Sequence, residues 1–376
     1  MRRLLTTIGL SVVSVFATLV LLEGVVRIVD PQDLTFWDSH QFRRIRATAP
    51  HFVENAPNAR AGFTGVSISI NSVGLRDEEI SIPKPPNTVR ILTVGDSITF
   101  GYGIPLEDTY SKVLQKRLNR NPPRAMRYEV LNGGTLGGSL GDYLYFLQQK
   151  AEKLQPDAIV IGVSLNDILL YSKAGGVSEA GATWRSGRPP FPKRINELLL
   201  HHSQLYVFCY ARLRSFLFGS GILDINRVRG LDFVTLSPPT EYQRKAWESS
   251  FDMLSQIIAF CDGHDYRLLV VVFPMQMQLS PSDLRFYRKR YHLRLGDEAL
   301  SGEPQKRLRE FANMSNISLV DLLPAYRAHL SEQLYLHNRL VPSDPSHPSI
   351  RGHEIAADEI LAPLVQILGI SPAGRK

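Results

Sequence analysis

Residues that could form a nucleophilic catalytic set occur in two distant segments of the chain. The segment "GDSITFG" places Ser97 directly after an apolar run. Near the C-terminus, "SDPSHPS" carries Asp344 and His347 three residues apart, beside prolines that stiffen the turn. A serine hydroxyl needs a neighbouring base to take its proton, and a carboxylate holds an imidazole base in one tautomer and stabilises its charged form. These three residues therefore have the types required for acyl transfer.

Two further segments could supply hydrogen-bond donors for a tetrahedral intermediate. The loop "NGGTLGG", from Asn132 to Gly138, offers glycine N–H groups that no Cβ shields, and "GVSLND" offers the side-chain amide of Asn166. Each also has an ordinary explanation, because Asn166 could cap a helix and a glycine loop could bind phosphate. The loop lacks the G-x-G-x-x-G order of dinucleotide sites, which argues against phosphate binding. Taken together, the four segments favour catalysis over these separate explanations.

One parallel sheet would bring these segments together. Short apolar runs alternate with helical patterns after residue 88, which predicts a parallel sheet with helices on both faces. The carboxyl ends of such strands lie at one edge, where open α/β sheets place their ligands. The predicted strands are Val89–Val94, Tyr128–Leu131, Ala158–Val163, Leu268–Phe273 and Ile317–Val320, and the predicted helices lie near 106–119, 141–154, 241–261, 303–313 and 351–368. Three of the four segments follow the first three strands.

The N-terminus has the pattern of a membrane-spanning helix. Arg2 and Arg3 precede an uncharged run from Leu4 to Leu22, and a helix of that length rises about 28 Å, enough to cross a hydrocarbon core. Cleaved signal peptides have shorter apolar stretches followed by a small-x-small site, which is not evident here. The positive-inside rule places the arginines in the cytoplasm. We therefore predict an uncleaved signal anchor with the catalytic domain on the extracytoplasmic, periplasmic side; a cleaved signal stays the alternative.

Three regions follow from these patterns. Residues 1–24 are the predicted anchor, residues 25–88 a linker and small β module, and residues 89–370 the catalytic domain. The alternation in "GVSISINSVGLRD" (65–77) predicts a β-hairpin or edge strand within the module. The interval of about 171–240 is a predicted insertion, whose apolar helix around Leu205–Phe218 could pack in the core, line an acyl pocket or lie on the membrane.

The composition of the chain limits the other partners and cofactors that we expect. The chain has 376 residues, 44% hydrophobic and 21% charged, as in globular proteins, and its net charge of +7 is modest. The basic cluster "RFYRKRYHLR" (285–294) is typical of a solvated helix face, and no nucleic-acid motif accompanies it. No metal-ligand spacing such as H-x-x-x-H accompanies the candidate residues. We therefore predict no nucleic-acid partner, no metal and no cofactor; the oligomeric state stays open.

Three side chains outside the proposed set have structural explanations. Cys209 and Cys261 lie in apolar helical stretches, which predicts buried thiols and leaves a single disulfide as the less favoured alternative. His353 falls in the last predicted helix and is interpreted as a packing or capping residue rather than a second base.

The four ordered motifs resemble those of the GDSL/SGNH hydrolase family, over roughly residues 89–368. "GDSITFG" resembles the motif that carries the nucleophile, here Ser97, whose own N–H is also an oxyanion donor. "GVSLND" resembles the motif whose asparagine is another donor, here Asn166, and "DPSHP" resembles the motif that completes the triad with Asp344 and His347. The segment "INSVGLRDEEI" is similar to the lead-in of membrane-anchored bacterial members.

The second motif, "NGGTLGG", is similar to the one whose glycine donates a backbone N–H to the oxyanion. The fifth residue after Asn132 matches, which gives Gly137. Because Gly133 and Gly134 leave the register ambiguous, Gly134 or Gly138 could take this position instead.

The resemblance implies a fold and an activity. The fold is a three-layer α/β/α sandwich, flavodoxin-like, with five parallel strands in the order 2-1-3-4-5. The activity is that of a serine ester hydrolase working through an acyl-enzyme without metal or cofactor. The predicted membrane anchor, rather than the resemblance, suggests an acyl ester of a cell-envelope polysaccharide or lipid as the substrate. Two alternatives stay open: an acyltransferase using the same triad, and a non-catalytic envelope protein that binds glycan or assists assembly.

Overall fold

The computed structural model of the chain describes residues 2–32, 34, 42–45, 52–120, 122, 126–169, 171, 192–220, 240–291, 295–337 and 344–370. Of the predicted insertion, residues 172–191 and 221–239 therefore lie outside the described residues.

Nine strands are described, in two hairpins and one larger sheet. In chain order they are β1 (Arg43–Ile45), β2 (Val53–Asn55), β3 (Arg60–Phe63), β4 (Val66–Ser69), β5 (Thr88–Gly95), β6 (Arg127–Asn132), β7 (Ala158–Ser164), β8 (Arg267–Phe273) and β9 (Ser318–Asp321). The pairs β1–β2 and β3–β4 are antiparallel, and β5 to β9 form a parallel sheet in the order β6-β5-β7-β8-β9. Each of the five predicted strands is confirmed to within one residue at either end, and the strand order is the one that the resemblance implies.

Helices cover both faces of this sheet. The described α-helices are α1 (Arg2–Val29), α2 (Ser97–Phe100), α3 (Tyr110–Arg120), α4 (Leu140–Leu154), α5 (Lys193–His202), α6 (Gln204–Gly219), α7 (Glu241–Gly263), α8 (Pro281–Tyr291), α9 (Glu303–Met314), α10 (Leu323–Ala328) and α11 (Ile350–Ile367). Helices α3, α10 and α11 share one apolar core with the sheet, and α4, α7 and α9 share the other. The three-layer sandwich is thus confirmed.

The apolar runs form strands because both faces of the sheet are buried. Ile91 and Leu92 are adjacent in β5, yet they pack into opposite cores, since successive side chains of a strand point to opposite faces. Every residue of β5 and β7 is buried. A strand in this position needs apolar residues throughout rather than alternating ones.

Helix α1 contains an apolar segment, Thr6–Val29, that is long and apolar enough to cross a membrane. Its C-terminal part also contacts the rest of the protein. The Glu23 carboxylate accepts hydrogen bonds from the backbone N–H groups of Gln204 and Leu205, both at 2.9 Å, at the start of α6. Arg212, farther along α6, pairs with Asp30 at 2.8 Å. The end of α1 is therefore fixed to α6 at two points.

The two hairpins lie against the segments that follow β5 and β6. Phe42, Phe63 and Ile68 form an apolar cluster with Phe100 and Leu136, and the ring of Phe42 stacks on that of Phe100 at a centroid distance of 5.5 Å. Helix α2 contains Phe100, so the hairpins pack directly on the helix that begins with Ser97. Of the range 65–77, for which a hairpin or edge strand was predicted, Val66–Ser69 is a strand, and its hairpin partner Arg60–Phe63 precedes that range.

The two cysteines and His353 differ in how they meet the predictions. Both thiols are free, and Cys261 is buried, but Cys209 is exposed, so the predicted burial of Cys209 is wrong. Helix α6 buries Val207, and residues two positions apart on a helix point about 200° apart. His353 lies in α11, where its Nδ1 accepts the backbone N–H of Tyr110 at 3.1 Å, which confirms the capping interpretation.

Candidate active site

Ser97, His347 and Asp344 form a continuous line of hydrogen bonds at the carboxyl edge of the sheet. Ser97 Oγ lies 2.7 Å from His347 Nε2, and His347 Nδ1 lies 2.6 Å from Asp344 Oδ2. Asp344 is only 4% exposed. With the Nδ1 proton directed to the carboxylate, Nε2 is left to accept the serine proton. This arrangement can activate a serine hydroxyl.

The three-residue spacing between Asp344 and His347 has a local explanation. The second carboxylate oxygen, Asp344 Oδ1, accepts the backbone N–H groups of Ser346 at 2.8 Å and His347 at 2.9 Å. Such a side-chain-to-backbone turn is a common use of aspartate in loops. One carboxylate therefore shapes the loop with one oxygen and orients the imidazole with the other.

The nucleophile segment is a sharp connection between β5 and α2. Asp96 caps α2, because its Oδ1 accepts the N–H of Ile98 at 2.8 Å, and Ser97 is the first helical residue. The N–H groups in the first turn of a helix have no partner within the helix. Within the described part of the chain, nothing accepts the N–H of Ser97. This donor is available to an oxyanion at the serine.

The glycine loop after β6 contains three glycines that could serve as the next donor. The N–H of Gly134 is bonded to Asn132 Oδ1 at 3.0 Å, and that of Gly138 to Thr135 O at 3.0 Å. Gly134 is also pressed so closely on α2 that an added Cβ would lie 2.1 Å from Phe100 N. Gly137 has a φ of 66°, which favours glycine, and no described residue accepts its N–H. Of the three, the geometry favours Gly137.

Asn166 lies on the 3₁₀ turn Leu165–Asp167 that follows β7, and its side chain is exposed. Its Nδ2 donates to Asp96 Oδ2 at 3.2 Å, and its Oδ1 contacts the hydroxyl of Ser164. These two contacts fix the plane of the amide. Because an amide nitrogen carries two hydrogens, one stays available for an oxyanion.

Two buried carboxyl groups, those of Asp96 and Asp167, contact the segment that carries Asn166. Burial raises the pKa of Asp96, and burial together with the nearby charge of Asp96 raises the pKa of Asp167 well above its usual range. Asp167 accepts the Tyr143 hydroxyl at 2.9 Å and the N–H of Ser164 at 2.9 Å. No group of side chains suited to a metal occurs among the described residues. Asp96 and Asp167 therefore hold Ser164 and Asn166 in place through hydrogen bonds.

Sequence reasoning missed an aromatic residue that contacts the base. The ring of Tyr102 stacks on the imidazole of His347, at 4.1 Å between centroids and 21° between planes. The edge of Phe63, from β3, packs on Tyr102 at 5.6 Å. Tyr102 stands between Gly101 and Gly103, both with positive φ, five residues after Ser97. In the sequence, only the glycines of "GDSITFGYG" indicate a turn at this point.

A buried cation, Arg76, was also missed. Its guanidinium donates to three backbone carbonyls at the end of α2: Phe100, Gly101 and Ile104, at 2.6–2.8 Å. Burial lowers its pKa to about 10. A cation at the C-terminal end of a helix is favourable, because the carbonyls there carry partial negative charge. Arg76 therefore fixes the end of the short helix that presents Ser97.

Comparison with known proteins finds likenesses in structure only. No protein-family model and no curated protein matches the sequence. Among solved structures, a catalytic mutant of Axe2, an acetylxylan esterase from Geobacillus stearothermophilus, is 15% identical, covers 77% of this chain and 97% of its own, and has a TM-score of 0.40. LAE5, an alpha/beta hydrolase enzyme from the metagenome of Lake Arreo, is 16% identical over 75% and 95%, with a TM-score of 0.40. TesA is 14% identical over 74% and 99%, with a TM-score of 0.38. Because these scores lie below 0.5, the fold assignment depends on this chain's own strand order.

Proposed function

We propose that this protein is an ester hydrolase in which Ser97 is the nucleophile, His347 the general base and Asp344 the residue that orients the base. The observation that carries the proposal is the unbroken line of hydrogen bonds from Asp344 through His347 to Ser97 Oγ. Three donors, the N–H groups of Ser97 and Gly137 and the amide of Asn166, support the same interpretation.

The reaction proceeds in two acyl transfers. Ser97 Oγ attacks the acyl carbon while its proton moves to His347 Nε2, and the three donors stabilise the resulting oxyanion. The intermediate collapses as the imidazolium returns the proton to the leaving alcohol, which leaves an acyl group on Ser97. His347 then takes a proton from water as the oxygen of that water attacks the acyl-enzyme. When the second intermediate collapses, the imidazolium returns the proton to Ser97 Oγ and the carboxylic acid is released.

The proposed substrate is an acyl ester of a cell-envelope polysaccharide or lipid. Helix α1 would anchor the protein in the cytoplasmic membrane in a single pass, and the arginines that precede its apolar segment favour a cytoplasmic N-terminus. The catalytic domain would then be extracytoplasmic. Protease added to intact spheroplasts should digest the domain while a cytoplasmic marker stays protected; equal protection of both would contradict this orientation.

Covalent labelling tests the nucleophile directly. A fluorophosphonate probe should label the full chain in detergent, and Ser97→Ala should abolish labelling and lower p-nitrophenyl acetate hydrolysis at least about 10⁴-fold. Ser255→Ala, on the exposed face of α7, is the matched control and should retain both. Equal labelling of parent and Ser97→Ala, or no labelling of either, would contradict the proposal.

A further inference from the structure

A groove that the proposed mechanism does not use lies beside the catalytic loop. It has a volume of about 490 Å³ and runs between α8 and the segment Glu332–His337. This volume lies within the range of small-molecule sites.

The walls of the groove combine one apolar surface with hydrogen-bonding groups. Phe286 projects from α8 with 49% of its surface exposed, and its ring packs edge-to-face on Tyr287 at 5.1 Å. Around it stand the carboxylates of Asp283 and Glu332 and the amides of Gln276 and Gln333. An aromatic face with a negative quadrupole attracts polarised C–H groups, and carboxylates and amides accept hydroxyl protons. A sugar ring presents both kinds of group.

The charge of the groove selects among sugars. The described lining residues include two carboxylates and no lysine or arginine. The Glu332 carboxylate pairs with Arg351 of α11, whereas that of Asp283 accepts hydrogen bonds from two neutral groups, Gln276 and Ser280. A uronate or phosphorylated sugar would meet the charge of Asp283, which is unfavourable. The lining therefore suits a neutral oligosaccharide.

The groove is connected to the catalytic loop by direct hydrogen bonds. Gln276 N–H donates to Pro345 O at 2.8 Å, the Tyr287 hydroxyl approaches Asp344 O at 3.3 Å, and Leu336 N–H donates to His347 O at 2.9 Å. Leu336 also reaches Gly103, where its Cδ1 lies 2.8 Å from the position that a Cβ would take. Leu336 thus lines the groove and lies against Gly103, the neighbour of the Tyr102 ring that stacks on the imidazole.

We propose that this groove binds neutral sugar units of the substrate next to the unit that carries the scissile ester. The proposal rests on the ester hydrolase function for its role, but binding can be measured without turnover. The groove would then contribute to KM for glycan esters and leave small esters unaffected.

Binding is tested with the full chain carrying Ser97→Ala, in nanodiscs, by calorimetric titration with cellohexaose, xylohexaose, chitohexaose and hexagalacturonate. At least one neutral hexamer should bind, and hexagalacturonate should bind at least about tenfold more weakly. Adding Phe286→Ala should weaken neutral binding about tenfold, Phe286→Trp should retain it because the aromatic face is kept, and Gln333→Ala should weaken it less. Met314→Ala, which removes an apolar side chain 80% exposed on α9, should change nothing.

Turnover provides a second, separate measurement. With Ser97 intact, Phe286→Ala should raise KM for an acetylated derivative of the bound hexamer about tenfold and leave p-nitrophenyl acetate hydrolysis unchanged. Binding that depends on Phe286 in a protein without esterase activity would refute the hydrolase function and keep the groove. Failure of every neutral hexamer to bind, equal binding of hexagalacturonate, or equal loss on both esters would overturn the sugar site.

Discussion

The two sides of the proposed active site are built in different ways. The nucleophile and the oxyanion donors follow strands β5, β6 and β7, which are adjacent in the sheet, with β6 at its edge. The base and its carboxylate lie on the loop before α11, outside any strand of the sheet. The first side is held by a buried polar network, and the second by ring stacking and backbone hydrogen bonds.

This difference shows which contacts hold the functional groups in position on each side. Asn166 is fixed through Ser164 and Asp96, whose polar atoms are buried and must stay paired. The His347 ring is instead confined between Ser97, Asp344 and the flat face of Tyr102. We therefore expect substitutions on the sheet side to remove charge stabilisation, and substitutions around the histidine to loosen the base by smaller amounts.

The largest effect in this comparison is expected from Asn166→Ala. Asn166 is exposed on the turn after β7, so its replacement leaves the sheet intact, and kcat should fall roughly 10²–10³-fold, as for other oxyanion donors, with little change in KM. Steady-state kinetics on p-nitrophenyl acetate measures this change. A parental kcat in the purified variant would remove Asn166 from the oxyanion site.

A smaller effect is expected on the base side, from Tyr102→Leu. Stacking of aromatic rings contributes about 0.5–1.5 kcal/mol, so loss of the flat face should lower kcat by up to about tenfold, with KM unchanged. Tyr102→Phe keeps the ring and should restore kcat. Loss of kcat in Tyr102→Phe equal to that in Tyr102→Leu would assign the effect to the hydroxyl and refute positioning by stacking.

The hairpin β3–β4 allows a second test on the base side, because its residue Phe63 packs on Tyr102. Phe63→Leu should lower kcat less than Tyr102→Leu, since Phe63 packs on Tyr102, which in turn stacks on the histidine. Its effect should vanish in the Tyr102→Leu background, because coupled residues are not additive. Equal effects of Phe63→Leu on kcat in both backgrounds would show that Phe63 acts independently of Tyr102, through its cluster with Phe100 of α2.

Sequence reasoning predicted more of the strands and motifs on the sheet side of the site than of the residues that support the base. Continuous β-forming runs such as "ILTV" in β5 mark buried strands by composition alone, and polar residues at their ends mark the edge of the sheet. The choice of Gly137 over Gly134 and Gly138 needed coordinates, because it depends on which N–H groups the folded loop already uses.

Tyr102 and Arg76 were not predictable for a different reason. The stacking partner of Tyr102 is distant in sequence, and the acceptors of Arg76 are backbone carbonyls, which leave no mark on residue type. Cys209 shows the converse limit: the apolar composition of α6 does not reveal which of its faces is covered.

The last effect concerns folding stability rather than turnover. His353 is buried against Tyr110, and burial, with smaller effects of Arg76 and His347, lowers its pKa from 6.5 to about 3. Between these values the unfolded chain binds a proton that the folded protein does not, so this stabilisation is complete above pH 6.5 and is lost as the pH falls toward 3. At pH 5 the loss amounts to about 2 kcal/mol. His353→Gln cannot titrate, so its deficit in unfolding free energy relative to the parent should shrink by about that amount between pH 7 and pH 5, as measured by urea unfolding in mild detergent. If the deficit stayed constant, the imidazole of His353 would not be held neutral in the folded protein, and its hydrogen bond to the start of α3 would tolerate a charge.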